Sequence, residues 1–321
     1  MNHTIREMAQ CLLMARGVTV VAHIAPDGDT LGASCALALA LERLHKPVVR
    51  YCADRIPARL AFLPGADRFT SSLDSAMKSD WVVAVDCAAP DRMGAGRALL
   101  EAGKRVMVLD HHGSNRGFGD LCYVSGASSA SEPAFDLLDA LGVELDAQMA
   151  DCLYTGMVTD TGRFGFPGVT GDTLRRAAQT LESGAHYVQI CRSQFQRRSL
   201  AATRLLGAAI SSMELHFDGK MAMMSITPEI MAGCGGSIED MEGIVNYASE
   251  IIGVEIGAMI YPASGRWKVS LRAAEAARVV RIADLLGGGV HAKAAGGRAH
   301  GKLEEAKRQV LEAVQEAKAL S

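Results

Sequence analysis

The stretch VTVVAHIAPDGDT, residues 18–30, decides the fold expected of this chain. Val18 to His23 is a short, continuous run of β-branched and apolar residues, typical of a strand buried on both faces of a parallel sheet. The turn sequence Pro26-Asp27-Gly28-Asp29 follows it, and Leu31 to Leu44 then has the small residues of a helix that packs closely on a sheet. The stretch therefore predicts a strand, a tight turn that carries two acids, and a helix. Gly28 is free to adopt a positive φ in that turn, which would let the two carboxylates serve different ions.

Three more runs in the first half have the same character. Strands are predicted at Pro47 to Cys52, Trp81 to Asp86 and Arg105 to Asp110, with helical stretches between them. Alternation of buried strands and helices is typical of a doubly wound α/β domain whose sheet is mainly parallel.

The pattern changes near residue 189. Gln189 to Leu215 has a helical period and a basic opening, which favours a connecting helix. After it we predict strands at Lys220 to Ile226, Val254 to Tyr261 and Arg266 to Arg272, and helices at Ser237 to Ile252 and Glu304 to Leu320. The expected organisation is a first domain over 1–188, a helical linker over 189–215 and a second, smaller α/β domain over 216–321.

Composition excludes some classes of function. The 321 residues carry a net charge of -3, so the chain lacks the basic excess of proteins that grip long duplex nucleic acid. None of the 8 cysteines forms a CxxC pair, which favours reduced thiols in a cytoplasmic protein. No apolar run approaches the roughly 20 residues that span a bilayer, so no membrane partner is expected.

Acids and imidazoles follow the predicted strands. His23 ends the first strand, Asp86 ends another, Asp110-His111-His112 ends a third, and Asp160 follows an apolar segment. In an open α/β sheet, ligands bind outside the carboxyl ends of the strands, so these side chains should meet at one edge. Oxygen and imidazole donors suit Mn²⁺, Zn²⁺ or Fe²⁺, and so many of them favour two ions that share an acid. Taken alone, Asp29 is better interpreted as the cap of the helix after it.

These motifs, in this order, resemble those of the DHH phosphoesterase superfamily. The segment from His23 to Asp29, then Asp86, then Asp110-His111-His112, then Asp160-Thr161-Gly162 carry the resemblance. The segment 287–296, GGGVHAKAAG, is similar to the glycine-rich His motif of the DHH-associated domain, with Val290 where the family usually has Gly. The segments Ile56-Pro57, Phe62 to Gly65 and Met241 to Asn246 also resemble the subgroup that acts on short RNA and on phosphoadenosine phosphate.

The resemblance implies a centre with two divalent metal ions, with Mn²⁺ the expected metal. It assigns one ion to His23, Asp27 and Asp86, and the other to Asp29, Asp86, His111 and Asp160, with Asp86 bridging. A water activated by both ions would attack phosphorus in line. His112 would stabilise the phosphoryl charge or protonate the leaving oxygen, and Asp110 would orient a ligand or brace the turn.

The resemblance also implies a substrate-binding role for the second domain. The expected contacts there are Arg272, Gly288, Gly289, His291 and Lys293. By themselves these residues fit a flexible loop and a surface ion pair equally well. Ser129 is a further candidate, because it lies in a hydroxyl-rich segment before a helix predicted at Pro133 to Leu141, although plain capping explains that segment almost as well.

The function expected from this resemblance is hydrolysis of short oligoribonucleotides (nanoRNA) to mononucleotides, with dephosphorylation of phosphoadenosine phosphate as a second activity. The expected partner is short single-stranded RNA or a small nucleotide, and a homodimer is compatible with it. The alternatives are a phosphodiesterase for linear or cyclic dinucleotides and a non-catalytic, metal-dependent nucleotide-binding protein. An inorganic pyrophosphatase shares the metal motifs, but the glycine-rich second domain argues against it.

Overall fold

The structure, a computed structural model, describes residues 3–263, 265–273, 276–291 and 294–317. Side chains are described for all of these except residues 276, 277, 289–291 and 294. The chain divides into two compact units, Met1–Arg197 and Arg198–Ser321.

The first unit is built on a six-stranded sheet. Its strands are β1 Val18–Ala22, β2 Val48–Tyr51, β3 Phe69–Thr70, β4 Trp81–Val85, β5 Arg105–Asp110 and β6 Leu121–Val124. Their order is β3-β2-β1-β4-β5-β6, and every neighbouring pair is parallel. The predicted parallel α/β fold is confirmed. The strands β3 and β6 were not predicted, and β3, with two residues, is too short to show a period.

Helices cover both faces of this sheet. They are α1 Ile5–Met14, α2 Gly28–Arg43, α3 Leu73–Ala76, α4 Ala98–Glu101, α5 Ser131–Ala140, α6 Ala147–Asp160, α7 Gly171–Glu182 and α8 Tyr187–Cys191. Because successive side chains of a strand point to opposite faces, Val20 enters a core with α1, α2, α5 and α6. Its neighbour Val21 enters a second core with α3 and α4.

The strand order reverses between β1 and β4, which are adjacent in the sheet. The chain leaves β1 toward β2 on one side and leaves β4 toward β5 on the other, which opens a crevice at the carboxyl ends of the two strands. The residues that follow β1 and β4 are His23 and Asp86. The topology therefore brings two of the predicted ligands together although 63 positions separate them.

Two glycines let the helices approach the crevice. A Cβ on Gly156, in α6, would lie 1.9 Å from Ser131 Oγ and 2.6 Å from Asp29 Oδ1. A Cβ on Gly28 would lie 2.5 Å from Thr159 Oγ1. Gly28 does not use its freedom to adopt a positive φ, because it begins α2 with helical geometry. It is glycine because α6 packs against it.

The second unit contains a mixed six-stranded sheet. Its strands are β7 Glu214–His216, β8 Met221–Ser225, β9 Ile256–Ala263, β10 Arg266–Ala273, β11 Gly289–His291 and β12 Ala294–Ala299, and its helices are α9 Leu200–Ser211, α10 Pro228–Gly233, α11 Asn246–Ser249, α12 Ala276–Leu285 and α13 Leu303–Ala317. The order is β11-β12-β10-β9-β8-β7, with β8 and β9 parallel and the other pairs antiparallel. Residues of α12 and α13 fill one core of this unit, and residues of α9, α10 and α11 fill another.

Two helix predictions in this half are wrong. The stretch 189–215 is not one connecting helix, because Arg197 is extended and Ser199 caps a new helix, its Oγ accepting from the N–H of Ala202 at 2.9 Å. The helix predicted over 237–252 is interrupted because Gly243 is left-handed, with φ 74°. Only a 3₁₀ turn at Glu239–Met241 and the short α11 form there. The strands β11 and β12 were not predicted because their glycines hide a strand pattern.

All eight cysteines are free thiols. Among the described residues, no helix combines the length and the apolar character needed to cross a membrane.

Candidate metal centre

Two histidines, His23 and His111, are each held at the crevice by a contact between the ring Nδ1 and a backbone carbonyl oxygen. The Nδ1 atom of His23 lies 2.8 Å from the carbonyl O of Ile24, and the Nδ1 atom of His111 lies 3.2 Å from the carbonyl O of Ala127. A proton on Nδ1 donated to these carbonyls leaves the Nε2 lone pair of each ring free. This arrangement is common for histidines that bind metal, because the carbonyl fixes both tautomer and ring direction.

Asp86 lies between the two imidazoles. Its Oδ2 is 3.4 Å from His23 Nε2, and its Oδ1 is 3.4 Å from His111 Nε2. The residue is buried, its φ is 58°, and its Oδ1 has no hydrogen-bond partner in the described part of the chain. A left-handed aspartate with a buried, unsatisfied oxygen is unfavourable in a purely structural position. Each oxygen of this carboxylate therefore faces a different candidate ligand set.

The two acids of the turn have separate tasks. Asp27 caps α2, because its Oδ1 accepts from the N–H groups of Asp29 and Thr30 at 3.1 Å, and its Oδ2 lies 3.7 Å from His23 Nε2. The interpretation of Asp29 as the cap is wrong. Instead its carboxylate points across to α5 and accepts from the N–H of Ala130 at 2.5 Å and from Ser131 Oγ at 2.6 Å. The N-terminus of α5 thus binds the carboxylate of Asp29, which occupies the position where a helix favours an anion.

Asp160 is the last residue of α6, and its Oδ2 lies 3.6 Å from His111 Nε2. The carboxyl end of a helix is an unfavourable position for an acid, because the helix carries partial negative charge there. Burial and the neighbouring acids raise the pKa of Asp160 to about 6, although His111 opposes the shift. A cation at this point would remove that conflict.

The raised pKa values of the site show that the clustered carboxylates stabilise positive charge there. Burial lowers the pKa of His23, but hydrogen bonds and charges from Asp27 and Asp86 outweigh it and raise the pKa to about 10. Burial likewise lowers the pKa of His111, and the surrounding carboxylates raise it to about 10. Burial and two neighbouring carboxylates raise the pKa of Asp29 well above its ordinary value. Divalent ions could replace these protons, since ligands give up protons when a metal binds.

The donor atoms fit such ions. Among the described residues, three groups of side chains have ligand atoms within 4.8 Å of one another: His23, Asp27 and Asp86; Asp29, His111 and Asp160; and Asp86, His111 and His112. All donors are carboxylate oxygens or imidazole nitrogens, which suit a metal such as Mn²⁺ better than a thiolate-selecting ion. The structure thus brings together all six residues that were predicted as ligands.

His112 has a different environment from His111. Its Nδ1 lies 2.8 Å from Asp110 Oδ1, and Asp110 Oδ2 accepts from Asn115 Nδ2 at 2.6 Å. Asp110 is completely buried. Burial lowers the pKa of His112, but the hydrogen bond to Asp110 and nearby acids raise it overall. Asp110 therefore orients His112, and Asn115 orients Asp110.

Sequence reasoning missed three polar residues near the centre. Asn115 is one, and Arg92 is another, with its Nη2 2.9 Å from His23 Nδ1. The third is Thr30, whose Oγ1 accepts from the N–H of His23 and donates to the carbonyl O of Val85, joining the ends of β1 and β4. Only Thr30 had a signal in the sequence, its position directly after the acidic turn.

The expected substrate contacts have varied surroundings. Ser129 is completely buried, and its Oγ has no hydrogen-bond partner within the residues that the structure describes, so the burial gives no support to a contact with substrate. Arg272 donates from Nε to Asn246 Oδ1 at 3.2 Å. A Cβ on Gly288 would lie 1.7 Å from the carbonyl O of Gly296, so strand packing by itself requires this glycine.

The rest of the glycine-rich motif is described only in part. Gly289 pairs with Gly296 between β11 and β12. His291 ends β11, but its side chain and that of Val290 are outside the described part, as is Lys293 altogether.

Comparisons with known proteins agree with the motifs. Residues 17–157 match the DHH family, N-terminal domain. The bifunctional oligoribonuclease and PAP phosphatase NrnA of Thermus thermophilus is 32% identical over 314 residues, which cover 97% of this chain and 93% of that protein.

Solved structures share the fold. An exopolyphosphatase-related protein from Bacteroides fragilis superposes with a TM-score of 0.92 and 27% identity, covering 98% of this chain and 96% of the other. Exonuclease RecJ bound to manganese has a TM-score of 0.54 at 18% identity, covering 100% of this chain and 96% of its own, which shows a common fold. From these matches and from the order of its site motifs, this chain belongs to the DHH family.

Proposed function

We propose that this protein is a metal-dependent phosphoesterase that hydrolyses short oligoribonucleotides to mononucleotides and also dephosphorylates phosphoadenosine phosphate. The observation that carries the proposal is the position of Asp86, whose two oxygens face two different histidines at 3.4 Å. The choice of substrates is supported by the 32% identity to a relative named as an oligoribonuclease and PAP phosphatase.

Two divalent ions would share the carboxylate of Asp86. His23, Asp27 and Asp86 would hold one ion, and Asp29, Asp86, His111 and Asp160 would hold the other. Mn²⁺ suits these donors, and a protein of the same fold, RecJ, was solved with manganese bound. When bound, such ions lower the pKa of water and neutralise charge on a phosphoryl group.

His112 is assigned the proton transfer to the leaving oxygen. Its Nδ1 is held by Asp110, which leaves Nε2 to exchange a proton with substrate. Its raised pKa keeps a larger share of the imidazole protonated near neutral pH, as a general acid requires. The buried carboxylate stabilises that protonated form and keeps the ring in one orientation.

The second domain is assigned the binding of substrate phosphates and bases. Arg272, Gly288, Gly289, His291 and Lys293 are the proposed contacts. Asn246 holds the Nε of Arg272, which restricts the direction of the guanidinium. In this proposal the first unit, Met1–Arg197, carries the chemistry and the second unit, Arg198–Ser321, selects the substrate. The segment predicted as a linker, 189–215, is divided between them, because α9 packs in a core of the second unit.

Turnover on defined substrates tests the proposal. Purified protein with Mn²⁺ is incubated in parallel with a 5′-phosphorylated RNA dinucleotide, phosphoadenosine phosphate, a cyclic dinucleotide and pyrophosphate, and the products are separated by chromatography. We expect mononucleotides from the first and inorganic phosphate from the second, with no product when EDTA is present. Cleavage of pyrophosphate alone would refute the substrate assignment. Absence of turnover with every substrate and metal would favour a nucleotide-binding protein.

A further inference from the structure

Arg92 lies beside the metal centre and belongs to neither ligand set. It follows β4 within a 3₁₀ segment, Pro90–Arg97. Its carbonyl O accepts from the N–H of Ile24 at 2.8 Å, which fixes its backbone next to the end of β1. The position of Arg92 relative to His23 is therefore set by a backbone contact.

The guanidinium of Arg92 has no acidic partner in the described part of the chain. Its one polar side-chain contact there is between Nη2 and His23 Nδ1, at 2.9 Å. Two other poorly exposed arginines are paired: Arg50 with Glu42 at 2.7 Å and Arg176 with Asp136 at 2.8 Å. A half-buried guanidinium remains charged and has five N–H donors to satisfy.

The contact between Arg92 Nη2 and His23 Nδ1 does not satisfy the guanidinium. The same Nδ1 lies 2.8 Å from the carbonyl O of Ile24, which is placed to accept the Nδ1 proton when Nε2 binds a metal. Two N–H donors then face each other, so the described part of the chain offers the guanidinium of Arg92 no acceptor.

Formal charges indicate which kind of group could pair with the guanidinium of Arg92. Two divalent ions contribute +4, and the carboxylates of Asp27, Asp29, Asp86 and Asp160 contribute -4, so with neutral imidazoles the loaded centre is neutral. A phosphate ester would add negative charge beside Arg92. The guanidinium is separated from the first ligand set only by the imidazole of His23. Arg92 Nη2 lies 2.9 Å from Nδ1 of this ring, and Nε2 on the other side of the ring lies 3.4 Å from Asp86 Oδ2.

We propose that Arg92 binds a phosphate oxygen of the substrate next to the first metal ion. This inference rests on the proposed function, and it adds a phosphate-binding residue to the first domain. A planar guanidinium can bind two phosphate oxygens at once, which a lysine ammonium cannot do with the same geometry. The competing explanation is that Arg92 only supports His23 as a ligand, and that explanation predicts a loss of metal affinity.

The experiment separates phosphate binding from metal binding and from turnover. The wild type, Arg92→Ala and Arg92→Lys are compared with Arg97→Ala, which removes an exposed arginine of the same 3₁₀ segment that pairs with Asp91. Calorimetry measures Mn²⁺ affinity, then AMP affinity of the Mn²⁺-loaded proteins. Hydrolysis of the RNA dinucleotide gives kcat and KM, and thermal unfolding checks the fold.

We expect Arg92→Ala to weaken AMP binding roughly 10- to 100-fold, as for loss of hydrogen bonds to a charged group. The value of kcat/KM should fall about 100- to 1000-fold, as for loss of one preorganised donor. Mn²⁺ affinity should stay within about threefold of the wild type, far from the 10- to 100-fold loss expected when a supporting residue is removed. Arg92→Lys should recover part of the loss, and Arg97→Ala should match the wild type.

Three outcomes would overturn the proposal. One is Mn²⁺ affinity that falls in Arg92→Ala while AMP affinity at saturating Mn²⁺ is normal. The second is AMP affinity unchanged in both variants. The third is a wild type that binds no AMP in the presence of Mn²⁺. A wild type that binds AMP through Arg92 but hydrolyses no dinucleotide would refute the proposed function and leave the role of Arg92 standing.

Discussion

The substitution Gly156→Ala tests whether packing between helices positions a metal ligand. The added Cβ would lie 1.9 Å from Ser131 Oγ and 2.6 Å from Asp29 Oδ1, whereas ordinary contacts begin at 3.4 Å. The serine oxygen must therefore move by about 1.5 Å (3.4 − 1.9) and the carboxylate oxygen by about 0.8 Å (3.4 − 2.6) unless α6 shifts. These two groups are joined by a hydrogen bond of 2.6 Å, so they are displaced together.

The expected effect on stability is modest and the effect on metal binding is large. Alanine gains about 1 kcal/mol of helix propensity over glycine, and overpacking costs about 1–3 kcal/mol, so the free energy of unfolding should fall by about 0–2 kcal/mol. The second ion, which Asp29 is proposed to bind, should lose roughly 10- to 100-fold in affinity. The ion assigned to His23 and Asp27 should be affected much less.

Calorimetry with Mn²⁺ and thermal unfolding in EDTA measure the two effects separately. The control is Gly207→Ala in α9, where the added Cβ meets no atom within 4 Å. That variant should be unchanged in metal binding and gain stability by about 1 kcal/mol. Two Mn²⁺ ions bound by Gly156→Ala with the affinities of the wild type would show that the position of Asp29 does not control the second ion.

Three further predictions concern the centre itself. Asp86→Ala should abolish turnover and weaken both Mn²⁺ sites while circular dichroism stays native, and retained activity would disprove the shared-ligand assignment. Asp110→Asn should lower kcat and shift the alkaline arm of its pH profile to lower pH, because protonated His112 loses its charged partner, while calorimetry shows unchanged Mn²⁺ binding; a normal profile would exclude His112 as the acid. Because His23 and His111 have pKa values of about 10 without metal, Mn²⁺ must displace their protons at pH 7, so binding should weaken as the pH falls. Calorimetry in buffers of different ionisation enthalpy should show release of two or more protons, and release of none would contradict the protonation described for the site.

The sequence alone determined the parallel sheet and the residues at its carboxyl edge. Strands buried on both faces show as apolar runs, and in β1, β4 and β5 each run is directly followed by, or ends in, an acid or histidine. Because parallel strands place their carboxyl ends at one edge of the sheet, residues at the ends of these strands can be predicted to lie near one another. The candidate donors followed from local pattern and topology, and their assignment to two ions followed from the resemblance to the DHH superfamily, without knowledge of any side-chain contact.

Only the tertiary structure decided how these side chains are held and used. The carboxylate of Asp29 accepts hydrogen bonds from Ala130 and Ser131 at the start of α5, which lie 101 and 102 positions further along the chain. No local period in the sequence reveals such a contact. The same is true of the guanidinium of Arg92 beside His23 and of Asn115 behind Asp110, since polar side chains choose partners by proximity in space. Gly156 illustrates the physical reason. In the sequence it is only a residue of low helix propensity, whereas in the fold its missing side chain leaves room for the carboxylate of Asp29.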